Sequence, residues 1–138
     1  MALVVDTGPL LAAMDRSDKH HVACRRLLET ASETLVIPAP VLVEVDYFVH
    51  DRLTAAVFVQ LLDDIAAGAF AVADLTAADF PRVRELCARY ADADIGFVDA
   101  SVLAIVERLG EHKLATIDRK HFGMLRPRHV AALDLLPA

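Results

Sequence analysis

Cysteine is scarce in this sequence, which contains only Cys24 and Cys87 among 138 residues. Both lie in stretches with a helical pattern, and neither is paired with another cysteine or a histidine at metal-ligand spacing. A disulfide framework and a structural zinc site are therefore disfavoured. We expect two free thiols that are buried or half-buried.

Long apolar runs are also absent, although 56% of the residues are hydrophobic. The longest uncharged runs, Thr34–Val43 and Ile65–Ala73, fall well short of the ~20 apolar residues that a membrane-spanning helix needs. The N-terminus lacks the positive start of a secretion signal, and Asp6 interrupts its apolar run. We therefore expect a cytoplasmic location.

A surplus of basic residues is the third absence. The 14 lysines and arginines are outnumbered by 20 aspartates and glutamates, so the formal net charge is −6. This balance argues against a simple nucleic-acid-binding module. It does not argue against a metal-dependent nuclease, because there the acids surround a cation whose charge the sequence count omits. Basic residues do cluster in the acid-free segment Arg119–Arg128, as Arg119, Lys120, His121, Arg126 and Arg128.

Repeats, linkers and low-complexity segments are absent too, and the length suits one domain covering residues 1–138. Short apolar segments alternate with helical patterns along the chain. The predicted strands are Ala2–Val5, Leu35–Ile37, Phe70–Val72, Leu114–Ile117 and His129–Leu135. The predicted helices are a short one around Leu10–Met14, then His20–Ala31, Val41–Asp51, Thr54–Ala67, Thr76–Tyr90 and Phe97–Leu109. This alternation predicts an α/β fold, a single-domain α/β/α sandwich with a five-stranded parallel sheet.

Two aspartates follow predicted strands. Asp6 ends the first strand, and Asp118 ends the strand Leu114–Ile117. Ligands of parallel sheets bind beyond the carboxyl ends of the strands, so both positions lie at the expected edge of a site. Thr116, two residues before Asp118, is placed to orient it. The alternatives remain open that Asp6 caps the following helix and that Asp118 is an ordinary turn residue.

Two further acids lie on helices, on their apolar sides. Glu44 is three residues after Val41 and four before Phe48, so it shares their helix face. Asp99 has the same relation to an apolar stripe that follows it at three, four and seven residues (Val102, Leu103 and Val106). A lone ionised carboxylate there would be destabilised by several kcal/mol through lost solvation. A metal or a cationic partner would offset this cost. An arginine pair remains an alternative for Glu44, and helix capping for Asp99.

Together these four acids can meet at one edge of an open parallel sheet. Carboxylate oxygens are hard ligands that suit Mg²⁺ or Mn²⁺. The six histidines are scattered, and His20 and His21 are adjacent, so they would point in different directions. We interpret the histidines as surface residues near the substrate rather than as ligands.

The acid-bearing segments, taken in order along the chain, resemble a PIN domain. They are Val4–Gly8, the helix that carries Glu44, Asp92–Ala100 and Ala115–Phe122. The size of the chain and its segment Phe122–Pro127 resemble the VapC toxins of bacterial and archaeal toxin–antitoxin pairs. No single motif is specific, but the four in this order are, and they span nearly the whole chain.

The resemblance implies roles for particular residues. It assigns catalysis and metal binding to Asp6, Glu44, Asp99 and Asp118. Asp92 matches a frequent additional acid. Asp94 is a further, less typical acid in the same loop, so the full set of ligands stays open. It gives Thr7 and Thr116 the part of small hydroxyl residues that support the acids. It also implies a PIN-like five-stranded parallel sheet, a homodimer, and a cognate VapB antitoxin that occludes the site.

The implied activity is that of an endoribonuclease toxin that uses Mg²⁺ or Mn²⁺ to hydrolyse phosphodiester bonds in RNA. A structured loop of tRNA or ribosomal RNA is the expected substrate, because selective cleavage needs unpaired bases splayed into a cleft. Candidates for contacting the RNA backbone are Arg119, Lys120, Arg126 and Arg128. The alternative for each is a solvated basic surface.

Two other classes fit less well. Phosphatases of the haloacid-dehalogenase type have a second Asp where this chain has Gly8, and receiver domains have an acid pair after the first strand, where only Asp6 is present. No phosphate-binding Gly-rich loop ending in Gly-Lys occurs. A non-catalytic PIN scaffold that binds RNA or protein should have lost some of the acids, whereas this chain keeps all four.

Overall fold

Short strands and helices alternate along the chain in the computed structural model, which describes residues 1–138. The strands are β1 (Ala2–Val5), β2 (Thr34–Pro38), β3 (Ala71–Ala73), β4 (Lys113–Ala115) and β5 (Asp134–Leu136). The helices are α1 (Thr7–Met14), α2 (His21–Thr30), α3 (Ala39–Arg52), α4 (Ala55–Ala66), α5 (Phe80–Arg89), α6 (Phe97–Leu109) and α7 (Arg119–Met124). None of these helices combines the length and the apolar character needed to cross a membrane.

The five strands form one fully parallel sheet in the order β3-β2-β1-β4-β5. Its centre is β1, in which Leu3, Val4 and Val5 are completely buried, as expected for a strand covered on both faces. The chain runs outward from β1 to β3 and then returns to the other side of β1 for β4 and β5. The strand order therefore reverses between β1 and β4, and ligands of such sheets bind beyond the carboxyl ends at that point.

The helices cover both faces of the sheet, which confirms the predicted α/β/α sandwich. Crossovers between parallel strands are right-handed, so the reversal of strand order puts α1–α4 and α5–α6 on opposite faces. In α3 the buried residues are Val41, Val45 and Val49, at the spacing of one helix face. In α6 every residue from Ala100 to Val106 is buried. This continuous burial holds the first turn of α6 in a fixed position beside the sheet.

Several predicted elements are confirmed. Strand β1 and helix α6 have the predicted bounds, and α6 ends at Gly110, whose φ of 68° is the left-handed conformation that glycine adopts without strain. Thr54 occupies the N-cap position of α4, although its side chain makes no capping hydrogen bond. Both cysteines are free thiols, one buried and one half-buried.

Other predicted bounds were wrong. The helix expected from Thr76 starts as a 3-10 turn, Ala77–Asp79, because Thr76 and Asp79 cap each other reciprocally before α5 begins. The fifth strand does not start at His129, because β4 is only three residues long and pairs with Asp134–Leu136 alone. The fourth strand ends at Ala115 rather than Ile117.

Helix α7 was not predicted. Its sequence has no apolar period, and it contains Gly123. It forms because Asp118 caps its first turn: a carboxylate oxygen of Asp118 accepts a hydrogen bond from the backbone N–H of His121 (3.1 Å). Phe122, which is buried, attaches the helix to the core. Asp118 is thus separated from β4 by two residues and begins a helix rather than ending a strand.

Candidate metal centre at the carboxyl edge of the sheet

Asp6 leaves the carboxyl end of the central strand and is only 5% exposed. Its backbone N–H donates to the carbonyl of Ala115 (2.9 Å), so the ends of β1 and β4 are held side by side. The completely buried hydroxyl of Thr116 donates to Oδ2 of Asp6 (2.9 Å) and accepts from the backbone N–H of Asp118 (3.0 Å). One hydroxyl therefore connects the two aspartates that follow strands β1 and β4.

Asp6 is not a helix-capping residue in the usual sense. It occupies the N-cap position of α1, but its side chain makes no capping hydrogen bond. Burial raises the pKa of Asp6 from 3.8 to about 7; hydrogen bonds from the Thr7 backbone and Thr116 oppose this rise, and the charges of Asp99 and Glu44 add to it. The carboxylate is thus held in a place where a cation would relieve both desolvation and repulsion.

Asp99 lies in the first turn of α6. Gly96 occupies the N-cap position of this helix, so the capping alternative for Asp99 was wrong. Burial raises the pKa of Asp99 from 3.8 to about 6, and the negative charge of Asp118 is the next cause, partly offset by His121. Glu44 also raises it. The charges of Glu44, Asp99 and Asp118 therefore act on Asp6 or on Asp99, so the fold places the four predicted acids near one another.

Glu44 lies beside the buried stripe of α3 rather than within it, and is half-buried. It forms no ion pair, so the arginine-pair alternative was wrong. Its side chain lines a cavity of about 520 Å³ between α3 and the start of α6, together with Pro40, Val43, Tyr47, Phe48, Phe97 and Val98. A larger cavity of about 580 Å³, between α1, α2 and α4, contains none of the four acids.

His121, which was not predicted as a ligand, lies among these acids. Its Nδ1 lies 2.7 Å from Oδ2 of Asp118 and 3.7 Å from Oδ2 of Asp99. One ligand atom from each of the three side chains lies within 4.8 Å of the other two. The signal that could have found it is the spacing: a residue three positions after Asp118 lies on the same side of a helical turn.

The two acids of the loop before α6 differ in position. Asp92 is exposed in a 3-10 turn, Ala91–Ala93, and is not among the main causes of the raised pKa of Asp99. Asp94 has a left-handed backbone (φ 60°), and its charge raises the pKa of Asp99. Of the two, Asp94 therefore has the stronger electrostatic effect on Asp99.

The basic segment divides into two groups. Arg119 donates to the backbone carbonyls of Leu135 (3.0 Å) and Pro137, and Arg128 pairs with Glu85. The side chains of Lys120 and Arg126 are exposed and make no hydrogen bond or ion pair. Two of the four predicted RNA-contacting residues thus have a structural role that the sequence did not indicate.

The residues at this edge fit a divalent cation. The donor set is carboxylate oxygens with one nearby imidazole, which suits Mg²⁺ or Mn²⁺. The hydroxyl Oγ1 of Thr7, next to Asp6, is buried and has no hydrogen-bond partner. An unpaired buried hydroxyl is unfavourable, and a metal-bound water or a phosphate oxygen at this edge would satisfy it.

Known proteins match this chain over most of its length. The family model of the PIN domain matches residues 3–124. Ribonuclease VapC26 of Mycobacterium tuberculosis is 30% identical over 135 residues, which cover 98% of this chain and all of the relative.

Solved structures share the fold. The structure of VapC20 from Mycobacterium tuberculosis, described as a sarcin-ricin loop cleaving toxin, superposes with a TM-score of 0.78 at 21% identity, over 94% of this chain and 98% of that one. VapBC2 from Rickettsia felis, bound to a DNA fragment from its promoter, gives a TM-score of 0.68 at 20% identity, over 98% of this chain and 97% of that one. With the family match and the relative that is 30% identical, the conclusion is plain: the chain belongs to the PIN-domain family, among its VapC-type ribonucleases.

Proposed function

We propose that this protein is a metal-dependent endoribonuclease toxin that hydrolyses phosphodiester bonds in a structured loop of tRNA or ribosomal RNA and so inhibits translation. The observation that carries the proposal is the convergence of Asp6, Glu44, Asp99 and Asp118 beyond the carboxyl ends of β1 and β4. Four mutually repelling carboxylates at one edge destabilise the folded chain unless a cation neutralises them. The presence of all four acids at one edge therefore supports a function that uses a cation.

The acids would hold Mg²⁺ or Mn²⁺, with Asp94 the nearer additional acid. When bound, the ion polarises a phosphate oxygen and lowers the pKa of a coordinated water. Glu44 has neither an ion pair nor a hydrogen bond, and it lines the cavity of about 520 Å³. It is therefore available to accept a proton from the attacking water. Thr116 keeps Asp6 oriented through its 2.9 Å hydrogen bond.

Lys120 and Arg126 are the residues we assign to the RNA backbone. Their side chains are exposed and have no partner within the chain, so they are free to pair with phosphates. Unpaired bases of a loop would give selectivity, because A-form RNA helices present little that side chains can distinguish in their major groove.

Two protein partners complete the proposal. The first is a VapB-type antitoxin that occludes the acids; the fold that this chain shares with a chain of the VapBC2 structure from Rickettsia felis supports such a partner. The second is another copy of this chain. Three large apolar side chains, Val43, Tyr47 and Phe97, are exposed around the cavity beside Glu44. Clustered exposed apolar side chains mark protein interfaces, and we assign this patch to a homodimer.

The decisive experiment is cleavage of total tRNA and ribosomal RNA by the purified protein, with Mn²⁺ or with EDTA. Asp99→Asn is run beside it, with exposed Asp92→Asn as the matched control. We expect a discrete fragment that requires Mn²⁺, persists in Asp92→Asn and disappears in Asp99→Asn. Fragments that persist in EDTA or in Asp99→Asn would indicate a contaminating ribonuclease, and no cleavage in any lane would favour a non-catalytic RNA-binding scaffold.

A further inference from the structure

His121 is the one non-acidic side chain that could ligate a metal among the acids of the candidate centre. We propose that His121 is a ligand of the bound ion together with Asp99 and Asp118, and that its nitrogen makes the centre prefer Mn²⁺ to Mg²⁺. This inference rests on the proposed function and narrows it to one ion.

The distances suit a shared ion. Nδ1 of His121 lies 2.7 Å from Oδ2 of Asp118 and 3.7 Å from Oδ2 of Asp99. Ligand atoms bound at ~2.1 Å to an octahedral ion lie roughly 3 Å apart when adjacent and roughly 4.2 Å apart when opposite. The 2.7 Å separation is close to that of adjacent ligand atoms, and the 3.7 Å separation lies between those of adjacent and opposite ligand atoms. All three ligand atoms lie within 4.8 Å of one another, which is the spacing of side chains that could share one ion.

The backbone around His121 is restrained. The carboxylate of Asp118 accepts a hydrogen bond from the N–H of His121 (3.1 Å), which fixes the first turn of α7. The next residue, Phe122, is buried in the core, so the helix cannot turn the imidazole away. The ring itself is only 20% exposed, which limits competition from water.

A simpler role for His121 is to donate a hydrogen bond from Nδ1 to Asp118 and so stabilise α7. That role accounts for the contact within one helical turn. It does not account for Asp99, which comes from a different helix and directs a second carboxylate at the same ring nitrogen. A charged imidazole between two carboxylates would make the same contacts without a metal, and the nitrogen coupling measured below separates that arrangement from a metal ligand.

The choice of ion follows from ligand chemistry. Mg²⁺ prefers oxygen ligands and retains several waters, whereas imidazole nitrogen suits transition metals. Mn²⁺ accepts a mixed set of oxygen and nitrogen. Loss of the imidazole should therefore weaken Mn²⁺ binding more than Mg²⁺ binding. A histidine that only positions Asp118 would affect both ions equally.

The test is to measure Mn²⁺ binding by electron paramagnetic resonance and Mg²⁺ affinity by competition with Mn²⁺. Wild type is compared with His121→Asn and with His112→Asn, which removes an exposed imidazole outside the centre. We expect a nitrogen coupling on bound Mn²⁺ in wild type and in His112→Asn, and none in His121→Asn. The Mn²⁺ dissociation constant should rise on the order of tenfold in His121→Asn, with less than about a threefold change for Mg²⁺.

Two results would overturn the inference. Bound Mn²⁺ without nitrogen coupling in wild type excludes His121 as a ligand, whatever happens to the folding of the variant, and it leaves the metal-dependent nuclease intact if RNA is still cut. Equal losses of Mn²⁺ and Mg²⁺ affinity in His121→Asn would reduce the histidine to a positioning residue. If wild type binds neither ion, both this inference and the metal dependence of the proposed function are wrong.

Discussion

The hydroxyl of Thr116 donates a 2.9 Å hydrogen bond to the carboxylate of Asp6, although the two residues are 110 positions apart in the chain. The same hydroxyl accepts from the N–H of Asp118. Thr116 is completely buried and Asp6 nearly so. A single side chain therefore satisfies two polar groups and determines the relative position of two acids.

Thr116→Val should lower the free energy of unfolding by about 1–3 kcal/mol, because it removes one of the hydrogen bonds to the buried Asp6 carboxylate and leaves the backbone N–H of Asp118 without its partner. Thr116→Ser, which keeps the hydroxyl, is the matched control and should lose less. Urea unfolding at pH 7 measures both. Equal stability of the valine and serine variants would mean that the hydrogen bond contributes little.

Asp99→Asn should change how stability depends on pH. The pKa of Asp99 is raised from 3.8 to about 6 in the folded protein, so the folded state binds this proton more tightly than the unfolded state does. Ionising Asp99 therefore removes stability as pH rises from about 4 to about 6. Without metal, the variant should match wild type near pH 4 and be more stable by on the order of 1–3 kcal/mol at pH 7. A marked loss of stability at pH 7 would instead assign Asp99 a structural role.

Mn²⁺ should raise the melting temperature of wild type appreciably, and that of Asp99→Asn much less. A ligand present at a hundred times its dissociation constant stabilises the folded state by about 2.7 kcal/mol. Differential scanning fluorimetry in EDTA and in Mn²⁺ measures the shift. The exposed Asp92→Asn variant is the control and should respond as wild type does. An equal shift in Asp99→Asn would show that Mn²⁺ binds elsewhere.

Lys120→Ala should weaken RNA binding without changing stability, because its side chain is exposed and has no partner in the chain. The slope of log affinity against log salt should fall by about 1, as for one lost phosphate contact. Arg119→Ala is the contrasting variant. It loses hydrogen bonds to the carbonyls of Leu135 and Pro137, so it should be less stable by about 0.5–1.5 kcal/mol. Binding is measured in the Asp99→Asn background to prevent cleavage. An unchanged salt slope for Lys120→Ala would mean that Lys120 does not contact the RNA.

Tyr47→Glu should convert the proposed homodimer to a monomer. Tyr47 is 68% exposed in the single chain, so the substitution introduces a charge into the patch without disturbing the core. Light scattering after size-exclusion chromatography gives the mass directly. Lys19→Glu, a similarly exposed site outside the patch, is the control. A monomeric wild type would refute the dimer, and a dimeric Tyr47→Glu would place its interface on another face.

Local signals in the sequence were sufficient to predict several strands and helices and to identify the four acids. Strand β1 and helix α6 have the predicted bounds because their signals are local: a buried apolar run in one case, and an apolar stripe closed by Gly110 in the other. The order of Asp6, Glu44, Asp99 and Asp118 along the chain, with the residues around each of them, was enough to indicate the family. These features depend on hydrophobic period, on helix ends and on motif order, all of which can be read directly from the sequence.

Which residues come into contact depends on how the strands and helices pack. The reversal of strand order sets β1 beside β4, and only then can Thr116 reach Asp6. The same packing brings His121 towards Asp99, and it ties Arg119 to carbonyls of the C-terminal segment. Helix α7 was missed because its stability comes from the cap by Asp118 and the burial of Phe122, not from an apolar period. Contacts between residues far apart in the chain depend on how the strands pair, and no local pattern records that pairing.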